Sequence, residues 1–398
     1  MRHRFSKVVL GLALFALLAG TSTVAAKSHH AAAGSYNVGF IYPRTGLLGT
    51  YGAEEIEGFK LGLQYATNGT GKVNGKTINV TYEDDKGDPA TGVGEAKDLI
   101  GQGYKILMGT GSSGVALQIA PLAAQNQILY ISGPAAYDGI TGINKYTFRA
   151  GRQTYQDVLD AASFLGKTTG KKVVVFDQDS VFGHGNYAAV KAVLGGKGHK
   201  VSEISVPLSA TDFTPFALQA KQANADLLFI AWAGTTAGAM WNALDQQGAF
   251  SGTQVVTGLA ERATWAATGP AATKIEYLSH YVWTAPHNKV NTWLINAVRR
   301  RGHGQVPDLF TPDGFVSAQM LVHALQKGDY DVDKMISALE GWKFLAPKGW
   351  QAIRPQDHAM LQPMFRVKLV SKNGKLVPVV LGTASTYETA PPIHPFPG

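Results

Sequence analysis

Residues 105–136 read KILMGTGSSGVALQIAPLAAQNQILYISGPAA, and this stretch decides the fold. An apolar run at 105–108 predicts a strand, glycines at 109, 111 and 114 a turn, 114–126 a helix, and 128–132 a second strand. A helix between two strands carries a right-handed crossover and makes the strands parallel. Outward from there the alternation continues. Residues 38–42 and 77–82 read as strands, 90–102 as a helix, and 54–67 as a helix with Ile56, Phe59, Leu63 and Tyr65 near helical spacing. After Phe148-Arg149-Ala150 the rhythm restarts, with helices at 154–165, 185–195, 213–223 and 236–247 between strands at 172–177, 200–207, 226–231 and 254–257.

The expected class is therefore α/β, two doubly wound parallel-sheet lobes of similar size. The remainder holds helices at 290–301, 313–327 and 332–340 and a hairpin, 365–370 with 376–381, turning at Lys372-Asn373-Gly374. Too few strands remain for a third unit, so this segment completes both lobes through crossings near Arg149, Trp283 and Lys348. The expected division is 36–149 plus 284–346 for lobe 1, 150–283 plus 347–390 for lobe 2, and a tail at 391–398. Several crossings make a hinge, and a hinge between two such lobes encloses a cleft for a small molecule.

Composition narrows the chemistry. The 398 residues include no cysteine, which excludes disulfides, thiolate metal sites, a cysteine nucleophile and a lipid-modified N-terminal cysteine. Charged residues make up only 16% of the chain, so it is no polyelectrolyte. Arg2, Arg4 and Lys7 precede an apolar run from 8 to 18, and Val24-Ala25-Ala26 supplies small residues for cleavage, the pattern of a secretory signal peptide. Residues 27–35 read as a flexible leader. Without residues 1–26, 33 basic side chains face 28 acidic ones, a balance of +5 that does not call for nucleic acid.

Several short motifs stand in order along the chain: Pro43-x-Thr45-Gly46 with Tyr51-Gly52 and Glu57-Gly58, Asp84-Asp85 with Asp88-Pro89, Ser112-Ser113-Gly114-Val115-Ala116, and Ser132-Gly133-Pro134-Ala135-Ala136. Tyr146-x-Phe148-Arg149, Asp177-x-x-x-x-Phe182-Gly183-x-Gly185 and Asp212-Phe213 complete the pattern over nearly all of the chain beyond the leader. Together they resemble one family, the periplasmic solute-binding proteins of ABC importers, in the leucine/isoleucine/valine-binding branch. The resemblance implies a type I periplasmic binding fold, a periplasmic location with cleavage near Ala26, and no enzyme activity or cofactor. It also implies an inner-membrane permease as partner, and a monomer is expected. An exported sensor of the same fold, binding amides, urea-like solutes or amino acids, is the alternative.

The site is expected where the 105–108 strand turns into its helix, because free backbone N–H groups and the helix's positive end make a carboxylate socket there. Ser112 and Ser113 stand at that turn, with Ser132, Pro134, Ala135 and Ala136 opposite. Gly109-x-Gly111-x-x-Gly114 also satisfies a dinucleotide fingerprint, but the next strand ends in Ser132 rather than the acid that would hold a ribose. Where the amino-acid-binding members carry a hydroxyl and an acid for the ligand's amino-acid head, this chain has Ala136 and Leu259; the family's second-lobe tyrosine falls on Ala233. Two ligands stay open. One is an apolar amino acid held by Tyr51 and Ser113 with Glu261 taking the ammonium. The other, favoured by the two apolar positions, is an amine-free carboxylate whose ring stacks among Tyr51, Phe182 and Trp232. Phe182 and Trp232 are equally the kind of residue that fills a core. His29-His30 and His184 lack partners at metal-ligand spacing, and Asp84, Asp85 and Asp88 are expected to order a loop.

Overall fold

The computed structural model describes residues 34–259, 262–302 and 305–397. The signal peptide, most of the leader and Glu261 lie outside them.

The first lobe is built on six strands: β1 (Ser35–Tyr42), β2 (Lys72–Val73), β3 (Lys76–Asp84), β4 (Ile106–Met108), β5 (Leu129–Ser132) and β6 (Thr147–Arg149). Their order is β2-β3-β1-β4-β5-β6, parallel except for the short β2. The second sheet takes β7 (Lys172–Gln178), β8 (Lys200–Val206), β9 (Leu227–Ala231), β10 (Gln254–Gly258) and β11 (Glu276–Ser279). A small sheet, β12 (Lys343–Ala346), β13 (Gly349–Ile353) and β14 (Met360–Leu361), precedes the hairpin β15 (Met364–Lys372) and β16 (Lys375–Ala384). The second sheet runs β16-β15-β11-β10-β9-β7-β8, with the hairpin antiparallel at one edge. Strands covered on both faces need apolar residues at every position, and β4 and β9 are buried throughout.

Helices α1 (Gly49–Ala66), α2 (Pro89–Gly101) and α3 (Ser113–Asn126) follow strands of the first sheet. Helices α4 (Thr154–Ala161), α5 (Val181–Val190), α6 (Thr214–Gln222), α7 (Ala237–Gln246) and the short α8 (Arg262–Trp265) serve the second. The chain then returns to the first lobe with α9 (Lys289–Arg301), α10 (Thr311–Gly328) and α11 (Val332–Leu339). Helices α1 and α10 pack backbone to backbone: a Cβ on Gly58 would stand 1.8 Å from the carbonyl oxygen of Thr311. The second sheet carries a separate apolar cluster on each face.

One boundary differs from the sequence reading. Residues from 347 were assigned to the second lobe, yet Ile353 and Met360 pack in the same cluster as Phe40, Phe59 and Phe148 of the first. The crossing therefore falls between β14 and β15, because β12, β13 and β14 close the first lobe's core from below. A fourth passage follows β16. Arg354 donates to the carbonyls of Pro391 at 2.7 Å and Pro392 at 3.0 Å, and the N–H of His394 reaches Asp357 at 3.1 Å. The tail is thus tied to the first lobe. No helix among the described residues is long and apolar enough to cross a membrane.

Candidate functional site

A cavity of about 300 Å³ lies between the lobes. Its first-lobe wall begins at the N-terminus of α3. The hydroxyl of Ser112 accepts the N–H of Val115 at 3.4 Å, which caps the helix. Ser113 is the first helical residue, and its Oγ accepts the N–H of Tyr137 at 3.3 Å, leaving its proton available to a ligand. Opposite, Pro134 and Ala136 line the cavity, whereas Ser132 and Ala135 are fully buried behind them and do not. That loop is held by the buried guanidinium of Arg149, which donates to the carbonyls of Ala135 at 2.7 Å and Tyr137 at 3.3 Å. The neighbouring acids order the loops as expected. Asp84 accepts the N–H groups of Arg44, Thr45 and Lys86, Asp85 that of Gly87, and Asp88 caps α2.

The second-lobe wall presents large apolar side chains, with Gln178, Ser180, Asn186 and Thr257 also reaching the cavity. Phe182 comes from the first turn of α5, Trp232 and Ala233 follow β9, and Leu259 follows β10. Trp232 is fixed on three sides: its ring stacks on Phe176 at 5.7 Å, meets the edge of Phe213 at 5.4 Å, and its indole N–H donates to Thr236 at 3.0 Å. Tyr51 reaches from α1 against Phe310, with ring centroids 4.5 Å apart.

The two walls touch. The N–H of Gly234 donates to the Tyr51 hydroxyl and that of Thr235 to the carbonyl of Leu47, both at 3.3 Å. Gly234 has φ of 86°, and a Cβ there would come within 2.5 Å of the Leu47 oxygen, so this contact needs glycine. The cleft is therefore in its closed form.

At the hinge end the cavity meets Arg152 and Asp157, which the sequence reading did not single out. Arg152 Nε donates to Asp157 at 3.1 Å and its Nη1 to the carbonyl of Pro134 at 3.1 Å. Burial pushes Asp157 above the usual carboxylate range while Arg152 opposes that shift. Behind them, Asp313 is gripped by Lys348 and by His280, the latter at 3.0 Å, all three almost wholly buried. Burial alone would raise the Asp313 carboxyl, but Lys348 and His280 outweigh it and keep it ionised. Burial also pulls His280 below its ordinary value.

Of the twelve positions named from sequence, Tyr51, Ser112, Ser113, Pro134, Ala136, Phe182, Trp232, Ala233 and Leu259 come together on this cavity. Ser132 and Ala135 stand behind its wall, and Glu261 is outside the described residues. Arg152 and Asp157 escaped notice because they follow the first crossing, distant in sequence from both loops they meet. An arginine followed five residues later by an aspartate, just past Arg149, was the available signal.

Three relatives put this geometry in context. The fold superposes with a TM-score of 0.75 on an ABC-type branched-chain amino acid transporter protein of Rhodopseudomonas palustris CGA009, 31% identical, covering 91% of this chain and 100% of that one. It superposes with 0.78 on a solute-binding protein of an ABC transporter from Rhodopseudomonas palustris BisB5 in complex with 3,4-dihydroxybenzoic acid, 25% identical, covering 88% and 98%. In sequence, 225 residues are 26% identical to the Leu/Ile/Val-binding protein homolog 3 of Brucella melitensis biotype 1, a match spanning 55% of this chain and 60% of that one. The profile of one family matches residues 35–375, nearly the whole two-lobed body, and the chain belongs to it: the periplasmic binding proteins, receptors for solutes and not a class of enzymes.

Proposed function

We propose that the protein is the extracytoplasmic solute-binding component of an ABC importer, exported with cleavage near Ala26, and that its solute is a small amine-free carboxylate with an apolar, ring-sized body. The carrying observation is the character of the cavity wall. Ser113 and the α3 N-terminus offer donors to a carboxylate, while Phe182, Trp232, Leu259 and Tyr51 surround the space beyond. Among the described residues no free carboxylate faces that space: Asp157 is committed to Arg152, and Ala136 and Leu259 are apolar. A buried ammonium without an anion costs several kcal/mol or more, which disfavours an amino acid. The relative that holds 3,4-dihydroxybenzoic acid supports the same reading.

Because Tyr51 and Leu47 touch the second lobe only when the cleft is closed, a solute spanning both walls shifts the population to the closed form. The closed monomer is the species offered to the permease. The test is thermal unfolding of protein refolded to remove carried-over solute, in the presence of benzoate, 3,4-dihydroxybenzoate, cyclohexanecarboxylate, leucine or valine. A bound solute at 100 times its Kd adds about 2.7 kcal/mol and raises the midpoint. The carboxylates are expected to do this and the amino acids not. A shift with leucine or valine alone replaces this reading with the one in which Glu261 takes the ammonium.

A further inference from the structure

The seven-stranded sheet ends at β8, and on the face covered by α5 three ligand-type side chains converge away from the cleft. Asp177 on β7 pairs in register with Ser205 on β8, and Glu203, two residues earlier, shares its face. His184, from the first turns of α5, places Nδ1 3.0 Å from Glu203 and Nε2 2.9 Å from Asp179. One donor atom each from Asp177, His184 and Glu203 lies within 4.8 Å of the others.

Asp177 makes this more than an acidic cluster. It is wholly buried, and neither Oδ has a partner at hydrogen-bonding geometry, although Glu203 and Ser205 are close enough to move its pKa in opposite directions. A buried carboxyl without a hydrogen-bond partner, beside a second carboxylate and an imidazole, is what a bound metal ion would satisfy.

We propose that Asp177, Glu203 and His184 form a binding site for a divalent transition-metal ion of the zinc type. Imidazole nitrogen and carboxylate oxygen are both zinc donors, held at roughly 2.0 to 2.2 Å, so the three side chains would draw in around the ion. With Nδ1 on the ion, the Nε2–H donates to Asp179, which fixes the tautomer as a carboxylate behind a ligating histidine does. Sequence spacing hides the site, because Glu203 arrives from the next strand. The ion would bind the start of α5 to β7 and β8 directly behind Gln178 and Phe182, both of which line the solute cavity.

The test is calorimetric titration of the chelator-stripped mature protein with ZnCl₂ at pH 8. His29→Ala and His30→Ala are present in every sample, which removes the leader's own histidine pair. One equivalent is expected, with Asp177→Asn and His184→Ala each weakening uptake at least tenfold. Circular dichroism of the metal-free proteins checks that both variants fold, and His184, being exposed, is the safer of the two. No uptake by the parent, or uptake that neither substitution weakens, overturns the site.

Discussion

The two walls of the cleft are built on different principles. The first-lobe wall is backbone and small side chains: the α3 N-terminus, Ser113, Pro134 and Ala136, supported from behind by Arg149. The second-lobe wall is dominated by large side chains, Phe182, Trp232 and Leu259, of which Trp232 follows the fully buried β9. Backbone donors recognise a charge whatever carries it, whereas packed rings recognise shape. The first wall should therefore set how tightly any carboxylate is held, and the second which carboxylate is preferred.

The hinge is common to both walls and should give the largest effect. Asp313 of α10 is ionised and buried between Lys348 of the first lobe and His280, which follows β11 at the second crossing. Lys348→Met leaves that charge with a single uncharged partner, a change expected to cost roughly 3 to 5 kcal/mol in urea unfolding. Lys334→Met, which breaks the exposed pair with Asp331, is the control and should cost little by comparison. Equal costs would mean that the buried cluster contributes no more to stability than a surface pair.

Ser113→Ala tests the first wall alone. It should weaken benzoate and cyclohexanecarboxylate by the same roughly 1 to 3 kcal/mol, the range for a hydrogen bond to a charged group, as read by titration calorimetry. A loss confined to one of the two would show that this wall also discriminates.

The same wall is backed by Glu55, whose carboxyl is fully buried, has no hydrogen-bond partner and lies so close to Gly133 that a Cβ there would meet Oε1 at 1.9 Å. Burial, then Asp85 and Asp313, raise it well above the ordinary range. A raised carboxyl contributes its stability below the unfolded-state pKa of about 4.3 and loses it as pH rises, by about 1.4 kcal/mol per unit of elevation. The midpoint of Glu55→Gln relative to the parent should therefore improve as pH rises above that unfolded-state value. A gap independent of pH would show that Glu55 is not held neutral.

The alternation of strands and helices was legible because the central strands β4, β5, β7 and β9 are largely apolar runs, and the hairpin turned where Asn373-Gly374 required. The short elements were not. The four residues of β11 follow an alanine-rich stretch with no strand signal, β12 and β13 are separated only by Pro347 and Lys348, and β2, β6 and β14 are two or three residues long. Half of the site follows the same logic. Ser113 opens the helix after β4 and Ala136 lies in the loop after β5, where the alternation itself points, while Arg152 and Asp157 acquire meaning only once the crossings fold both lobes over them.

The second wall is open to the finest test. Trp232→Leu keeps an apolar side chain beside Phe213 but removes the ring that faces the cavity. Some general loss is expected for every solute, since the site repacks, so the informative quantity is the difference between benzoate and cyclohexanecarboxylate in one protein. If the indole stacks on an aromatic solute, benzoate should lose roughly 0.5 to 1.5 kcal/mol more than its saturated counterpart. Equal losses would mean that Trp232 only fills space, and preference within the second wall would then fall to Phe182, the other aromatic that α5 carries to the cleft.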